Sequence, residues 1–214
     1  MEYKGIQIIN EGENNLIHIE EGTPFSLSRI HIYGNNNKIR ISKAKSISNL
    51  FLNLKGNNKT FYIGETQKNI NNLKFTSIRG NNQSFVIGNS FSCGGMEIQM
   101  NDGDEKCTIG DDCLFSWGIK MRTSDGHSVI DIATDKAINI PRDILIGNHV
   151  WVGEDVKFLK GSSIPDNCIV GSYAVVTKAF LEQNIAIAGF PASVIKRGVN
   201  WDRRMPSEYN KDRL

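Results

Sequence analysis

Ile146-Gly147-Asn148-His149-Val150-Trp151, Val152-Gly153-Glu154-Asp155-Val156-Lys157, Phe158-Leu159-Lys160-Gly161-Ser162-Ser163, Ile164-Pro165-Asp166-Asn167-Cys168-Ile169 and Val170-Gly171-Ser172-Tyr173-Ala174-Val175 follow one another as consecutive sixes. An aliphatic or aromatic residue opens each six, and a small residue or Cys holds the fifth place. Two more sixes fit upstream, Ile109 to Leu114 and Phe115 to Lys120. A six-residue unit is one short strand and one turn, and three of them close a triangular coil of about 18 residues. The opening residue then points inward and rests on its equivalent one coil away: Ile146 on Ile164, Val152 on Val170. A coil alone buries little apolar area, so stability must come from stacking. The period predicts an all-β solenoid with a parallel β-helical core.

A looser repeat precedes this one. Asn14-Asn15, Asn36-Asn37, Asn57-Asn58 and Asn81-Asn82 each run into a stretch of alternating apolar residues, the period-2 mark of a strand with one buried face. Gly34, Gly56 and Gly80 stand before three of these pairs, and Gly-Asn-Asn is turn chemistry. The second asparagines, at 15, 37, 58 and 82, are 22, 21 and 24 residues apart. These are expected to be coils of the same kind with a few extra residues bulging at one corner. Residues 1–108 then form Asn-cornered coils, 109–200 the hexad part with a loop at 121–145, and 201–214 a short C-terminal tail.

Bulk properties exclude several classes. With 25 basic and 23 acidic side chains the formal charge is +2, which gives no electrostatic case for nucleic acid and offers no polybasic run for a membrane surface. No run of 18 apolar residues exists to span a bilayer, and Met1, Glu2 and Lys4 open no secretory signal. Cys93, Cys107, Cys113 and Cys168 contain no C-x-x-C pair; the closest two are six apart, which is the repeat length and explains the spacing without a metal. The reading is a cytoplasmic protein with buried, reduced thiols. His18, His31, His127 and His149 are too widely spread to argue for a metalloenzyme.

The period breaks once among the hexads, between Lys120 and Ile146. A segment that interrupts a solenoid leaves the stack as a surface loop, and such loops carry function. This one holds Asp125-Gly126-His127-Ser128. A lone His is ordinarily a solvated surface residue; its place in the long insertion makes His127 the candidate.

The hexads, the loop His, Gly147-Asn148-His149-Val150-Trp151-Val152-Gly153 and the closing Ala188-Gly189-Phe190-Pro191-Ala192-Ser193-Val194-Ile195-Lys196 together resemble the hexapeptide-repeat acyltransferases. That superfamily includes galactoside, maltose, serine and xenobiotic acetyltransferases. The resemblance covers residues 109–197, and the 24 residues from His127 to Trp151 are similar to the galactoside acetyltransferase arrangement. The Asn-rich coils and Asn200-Trp201-Asp202-Arg203 resemble the bacterial capsule O-acetyltransferases, notably those that modify polysialic acid. Ser128 stands where the family usually carries Pro, which leaves the backbone of His127 freer.

The resemblance implies a left-handed β-helix and a homotrimer with its active site shared between subunits. It also implies acetyl-CoA as donor and a glycan hydroxyl as acceptor, without metal, nucleic acid or membrane insertion. His127 would be the general base, because a neutral alcohol attacks a thioester poorly and imidazole can take its proton. Asp125 or a loop carbonyl would orient the ring, and a backbone N–H or Trp151 Nε1 would stabilise the oxyanion or hold the CoA sulfur. Carried over by position, the CoA contacts are Trp151, Gly153, Ser172, Thr177, Lys178 and Lys196. Arg122, Lys120 and Trp117, with Arg79, are the acceptor candidates, although surface salt bridging explains the same basic residues.

Three other readings compete. A covalent route through Cys93 in Ser92-Cys93-Gly94-Gly95 lacks an adjacent His. An N-acetyltransferase acting on an amino sugar nucleotide would often carry a nucleotide-binding domain, and residues 1–108 show neither Gly-x-Gly-x-x-Gly nor strand–helix alternation. A non-catalytic scaffold would keep the fold and need no His127.

Overall fold

The computed structural model describes residues 4–211; the ends of the N-terminal coil segment and of the tail expected above, 1–3 and 212–214, lie outside the described residues. The chain winds as a left-handed parallel β-helix with three faces. Face A stacks eight strands from Ile6–Asn10 to Val175–Val176, and face B seven from Leu16–Ile19 to Ser163–Ile164. Face C stacks nine and ends in an antiparallel pair, Ile185–Gly189 with Ala192–Arg197. The one helix among the described residues, Pro206–Lys211, is too short to cross a membrane.

The hexad register is as expected. Ile146 pairs with Ile164 and Val152 with Val170, and the upstream Ile109 and Phe115 rest on Ile146 and Val152. The fifth-place residues Val150, Val156, Ser162, Cys168 and Ala174 are all buried, filling the interior beside each opening residue.

The extra residues of the N-terminal coils sit at one corner, between faces A and B. Leu52 and Phe158 occupy equivalent places on face A, as do Ile63 and Ile164 on face B. Leu52 to Ile63 is eleven residues, whereas Phe158 to Ile164 is six. The register corrects one detail of the sequence reading. Face B pairs Leu16, Lys38, Thr60, Ser84 and Lys106, so the first three steps are 22, 22 and 24. Asn58 therefore stacks on Asn36, not Asn37. The equivalents Asn14, Asn36, Asn58 and Asn82 all take the left-handed conformation, at φ 54°, 58°, 58° and 62°, which Asn tolerates.

Two side-chain ladders tie the corners together. Asn35, Asn57 and Asn81 each accept, through Oδ1 at 2.8 Å, the backbone N–H of the preceding coil's equivalent residue. Between faces B and C, the Oδ1 atoms of Asp111, Asn148 and Asp166 accept the backbone N–H of Asn89, Asp111 and Asn148 at 2.6–2.8 Å. Such bonds each contribute about 1 kcal/mol net, and their repetition fixes the register.

Behind the Asn corner runs a polar column that the alternating pattern conceals. Asn37, Lys59, Gln83 and Glu105 occupy equivalent positions and are buried. Lys59 Nζ donates to Ser77 O, Ser77 Oγ and Arg79 O at 2.8–3.1 Å, so three N–H bonds meet three acceptors. Gln83 Nε2 donates to Glu105 Oε2, and Glu105 Oε1 accepts from Thr123 at the foot of the loop.

Burial pushes the Lys59 ammonium down to about 8, against the attraction of Glu105. An unfolded lysine keeps its proton to about 10.5, so between pH 8 and 10.5 the unfolded chain binds more protons and this group's contribution to stability rises with pH. The full gain is about 3 kcal/mol. In urea titrations at pH 7.5 and pH 10, Lys59→Met is expected to lack this alkaline gain relative to the wild type. Parallel pH dependence in the two proteins would show that the column does not tax the ammonium form.

Candidate functional site

The long insertion leaves the same A–B corner as the Asn ladder. It is shorter at both ends than the 121–145 read from sequence. Met121 remains in the stack on Phe158, and Ile144 stacks on Cys107, so Ile119–Arg122 and Ile144–Ile146 are solenoid strands. The loop proper is 123–143, with a small hairpin pairing Ile130–Asp131 with Lys136–Ala137.

His127 lies exposed on this loop and lines a cavity of about 470 Å³ with Arg79, Asn101, Asp102, Asn139 and Pro141. Arg79 enters from the coil below: its carbonyl is held by buried Lys59, and its guanidinium reaches Gly126 O at 3.5 Å. Arg122 approaches Gly126 from the neighbouring strand. Both arginines thus flank the turn that carries His127.

Asp125 is occupied by other partners. Its Oδ2 accepts from Lys160 Nζ and from Asn139 Nδ2, and these bonds, reinforced by the charges of Lys160 and Arg122, hold its carboxyl below the usual range. Lys160 stands on the next coil and also donates to Asn139 O at 2.8 Å, so it pins the loop to the solenoid. Asn139 and Lys160 were not found from sequence; both are ordinary polar residues there, and their roles exist only once the loop has closed.

Trp151 is set elsewhere. It stands on face C, 41% exposed, beside a second cavity of about 840 Å³ lined also by His149, Trp201, Arg203, Met205 and Tyr209. His127 and Trp151 of one chain therefore line different cavities. The tail builds the second one. Trp201 stacks on His149 at 4.4 Å and donates from Nε1 to His149 O, while Arg203 crosses face C to Asp112 and Ser92. His149 Nδ1 meets Asp112 Oδ2 at 2.7 Å and Nε2 meets Trp201 O at 3.1 Å. Both ring nitrogens face oxygen atoms, one of a carboxylate and one of a backbone carbonyl. Sequence reading passed over His149 because its partners lie 37 and 52 residues away.

The remaining candidates fall in three places. Gly153 and Ser172 stack on successive coils at the C–A corner, where a Cβ on Gly153 would lie 2.7 Å from Ser172 N and Oγ. Thr177 and Lys178 are exposed on the A–B corner of the last coil, and Lys196 is exposed on the terminal hairpin. Lys120 lies on face A beside Glu97 and Lys157, and exposed Trp117 occupies the C–A corner, so neither shares the His127 cavity lining. Cys93 is buried and its thiol is pushed up to about 12 by burial, which leaves no thiolate at neutral pH for the covalent route.

Comparison with known proteins follows the same outline. Residues 143–178 match the family described as bacterial transferase hexapeptide (six repeats). The chain is 38% identical over 110 residues, half its length, to a polysialic acid O-acetyltransferase of Escherichia coli O1:K1 / APEC, a stretch that spans 36% of that relative. The crystal structure of the polysialic acid O-acetyltransferase OatWY superposes at a TM-score of 0.81 with 32% identity, over 97% of this chain and 98% of that one. The polysialic-acid-specific acetyltransferase NeuO superposes at 0.77 with 26% identity, over 99% and 100%. Matching OatWY at 32% identity over 97% of its own length and 98% of that chain, and carrying the hexapeptide repeat, the chain belongs to the hexapeptide-repeat acyltransferases.

Proposed function

We propose that this protein is an O-acetyltransferase that moves the acetyl group of acetyl-CoA to a hydroxyl of a bacterial surface glycan, with polysialic acid as the acceptor class. One observation carries the reading: a fold that matches two polysialic acid O-acetyltransferases end to end raises its loop histidine into a cavity walled by Arg79. An arginine beside the base suits a carboxylate-bearing sugar.

Acetyl-CoA supplies an activated thioester carbonyl. His127 takes the proton of the acceptor hydroxyl as that oxygen attacks, then returns a proton to the leaving thiol. Asn139 and Lys160 hold the loop during this exchange. Trp151, with the small Gly153 and Ser172 at the adjoining corner, offers a flat shelf for a pantetheine arm, and exposed Lys178 and Lys196 meet its phosphates as point charges. Arg122, Lys120 and Trp117 extend the acceptor surface outward from the loop. Residues 109–200 are the catalytic part, stacked on the Asn-cornered coils of 1–108 and strapped by the tail.

Because His127 and Trp151 line separate cavities in one chain, a complete site needs a second copy, and a homotrimer supplies it. The loop hairpin exposes Ile132 (99%), Ile138 and Ile140, apolar side chains that a neighbouring subunit would cover. Incubating purified protein with acetyl-CoA and polysialic acid is expected to release CoA and add acetyl mass to the glycan. Transfer to an amino sugar instead, or no CoA release with any glycan, would overturn the reading.

A further inference from the structure

We infer that Asn139 is the positioning residue for His127, an inference that rests on the catalytic reading of that histidine. Its side-chain amide spends every hydrogen-bonding group on the segment around the histidine. Nδ2 donates to Asp125 Oδ2 and to His127 O, each at 2.8 Å, and Oδ1 accepts Val129 N–H at 2.8 Å. The three partners are residues 125, 127 and 129, so the amide brackets the histidine on both sides.

The pattern has a structural logic. The hairpin is already closed by Ile138 N–H to Val129 O at 2.9 Å. One residue further on, the Asn139 side chain pairs with the carbonyl of 127 and the N–H of 129, as a backbone amide would in a strand ladder. Strand pairing is thereby extended back from Val129 over Ser128 to the His127 carbonyl with no third strand. Ser128 follows the histidine, so the backbone there is not restrained by a proline ring, and the amide supplies that restraint from outside. Lys160 completes the clasp by holding both Asp125 Oδ2 and Asn139 O to the next coil. No bond of Asn139 reaches the imidazole; its effect passes through the backbone that aims the ring.

The chemistry of the amide makes the inference specific. Alanine removes all three bonds. Aspartate keeps an acceptor for Val129 N–H but loses both donors, and sets a second carboxylate where Asp125 Oδ2 now accepts at 2.8 Å. A misplaced base costs on the order of 10²-fold or less when the group itself is retained. For the whole chain with acetyl-CoA and polysialic acid, Asn139→Ala is expected to lower kcat by about 10–100-fold with KM for acetyl-CoA within about twofold. In the His127→Ala background the same change should add no further loss, because its effect has no route but the histidine. Asn139→Asp carries the same expectation and stands in if the alanine protein fails to fold. Wild-type kcat in both Asn139 variants while His127→Ala is inactive, or equal losses in the presence and absence of His127, overturns the inference alone. An active His127→Ala protein removes the catalytic reading and the inference with it.

Discussion

His127→Ala is expected to lower turnover by about 10²–10⁴, the usual contribution of a positioned general base, equivalent to about 3–5 kcal/mol of barrier. Acetyl-CoA affinity should stay near the wild-type value in calorimetry, since none of the candidate donor contacts is on the loop. The geometry separates lost chemistry from lost structure. The bonds that hold the loop run through the side chains of Asp125, Asn139 and Lys160 and through the carbonyl of His127, not through its ring. Truncating the ring therefore leaves the loop tied down, and thermal stability is expected to be unchanged. Turnover within about twofold of the wild type would remove His127 from the reaction; a 10²-fold loss is the least that general-base catalysis predicts.

The second large effect is on stability. Phe61, Phe75 and Phe85 form a buried triangle with ring centroids 5.0–5.4 Å apart, Phe85 lying directly on Phe61 in the face B register. Phe85→Ala deletes one corner of that triangle between coils whose backbones are bonded above and below, so the walls cannot close on the void. The loss is expected to be about 3–5 kcal/mol, the usual range for a core phenylalanine with a residual cavity. In a solenoid each coil contacts only its neighbours, so the damage should spread from this coil outward. Hydrogen exchange is expected to quicken first in residues 60–87 and last in the hexads. A loss below about 1 kcal/mol in urea titration would mean that Phe61 and Phe75 repack to fill the space.

The sequence made the solenoid legible because a six-residue period leaves few other solutions: Ile146 had to find Ile164. It made the breaking point of that period legible as well, and with it His127. The register of the long coils was harder, because Gly34-Asn35-Asn36-Asn37 offers two asparagines that fit the corner, and only backbone conformation says which one turns. The column of Lys59, Gln83 and Glu105 was hidden for a different reason. Polar residues after a turn read as solvated, yet here the wider corner admits them to the interior, where they satisfy one another. The separation of His127 from Trp151 was also invisible, since 24 residues along the chain do not say that one leaves a corner on the loop and the other stands on face C. Asn139 and His149 act through partners brought close by closure of the loop and docking of the tail, and neither event has a sequence period.

The reversed strand Ala192–Arg197 has a consequence at the level of whole molecules. A parallel coil has no intrinsic end: its last turn offers the same open backbone rungs that received the turn before it, and another molecule's first turn would fit them. On face C the chain folds back on itself and occupies that edge with its own antiparallel strand. The final strands of the other two faces, Val175–Val176 and Ser163–Ile164, are only two residues long. Short and reversed edges are how sheet proteins resist growing into fibres, and here the antiparallel strand presents the wrong direction for a further parallel coil to continue the stack.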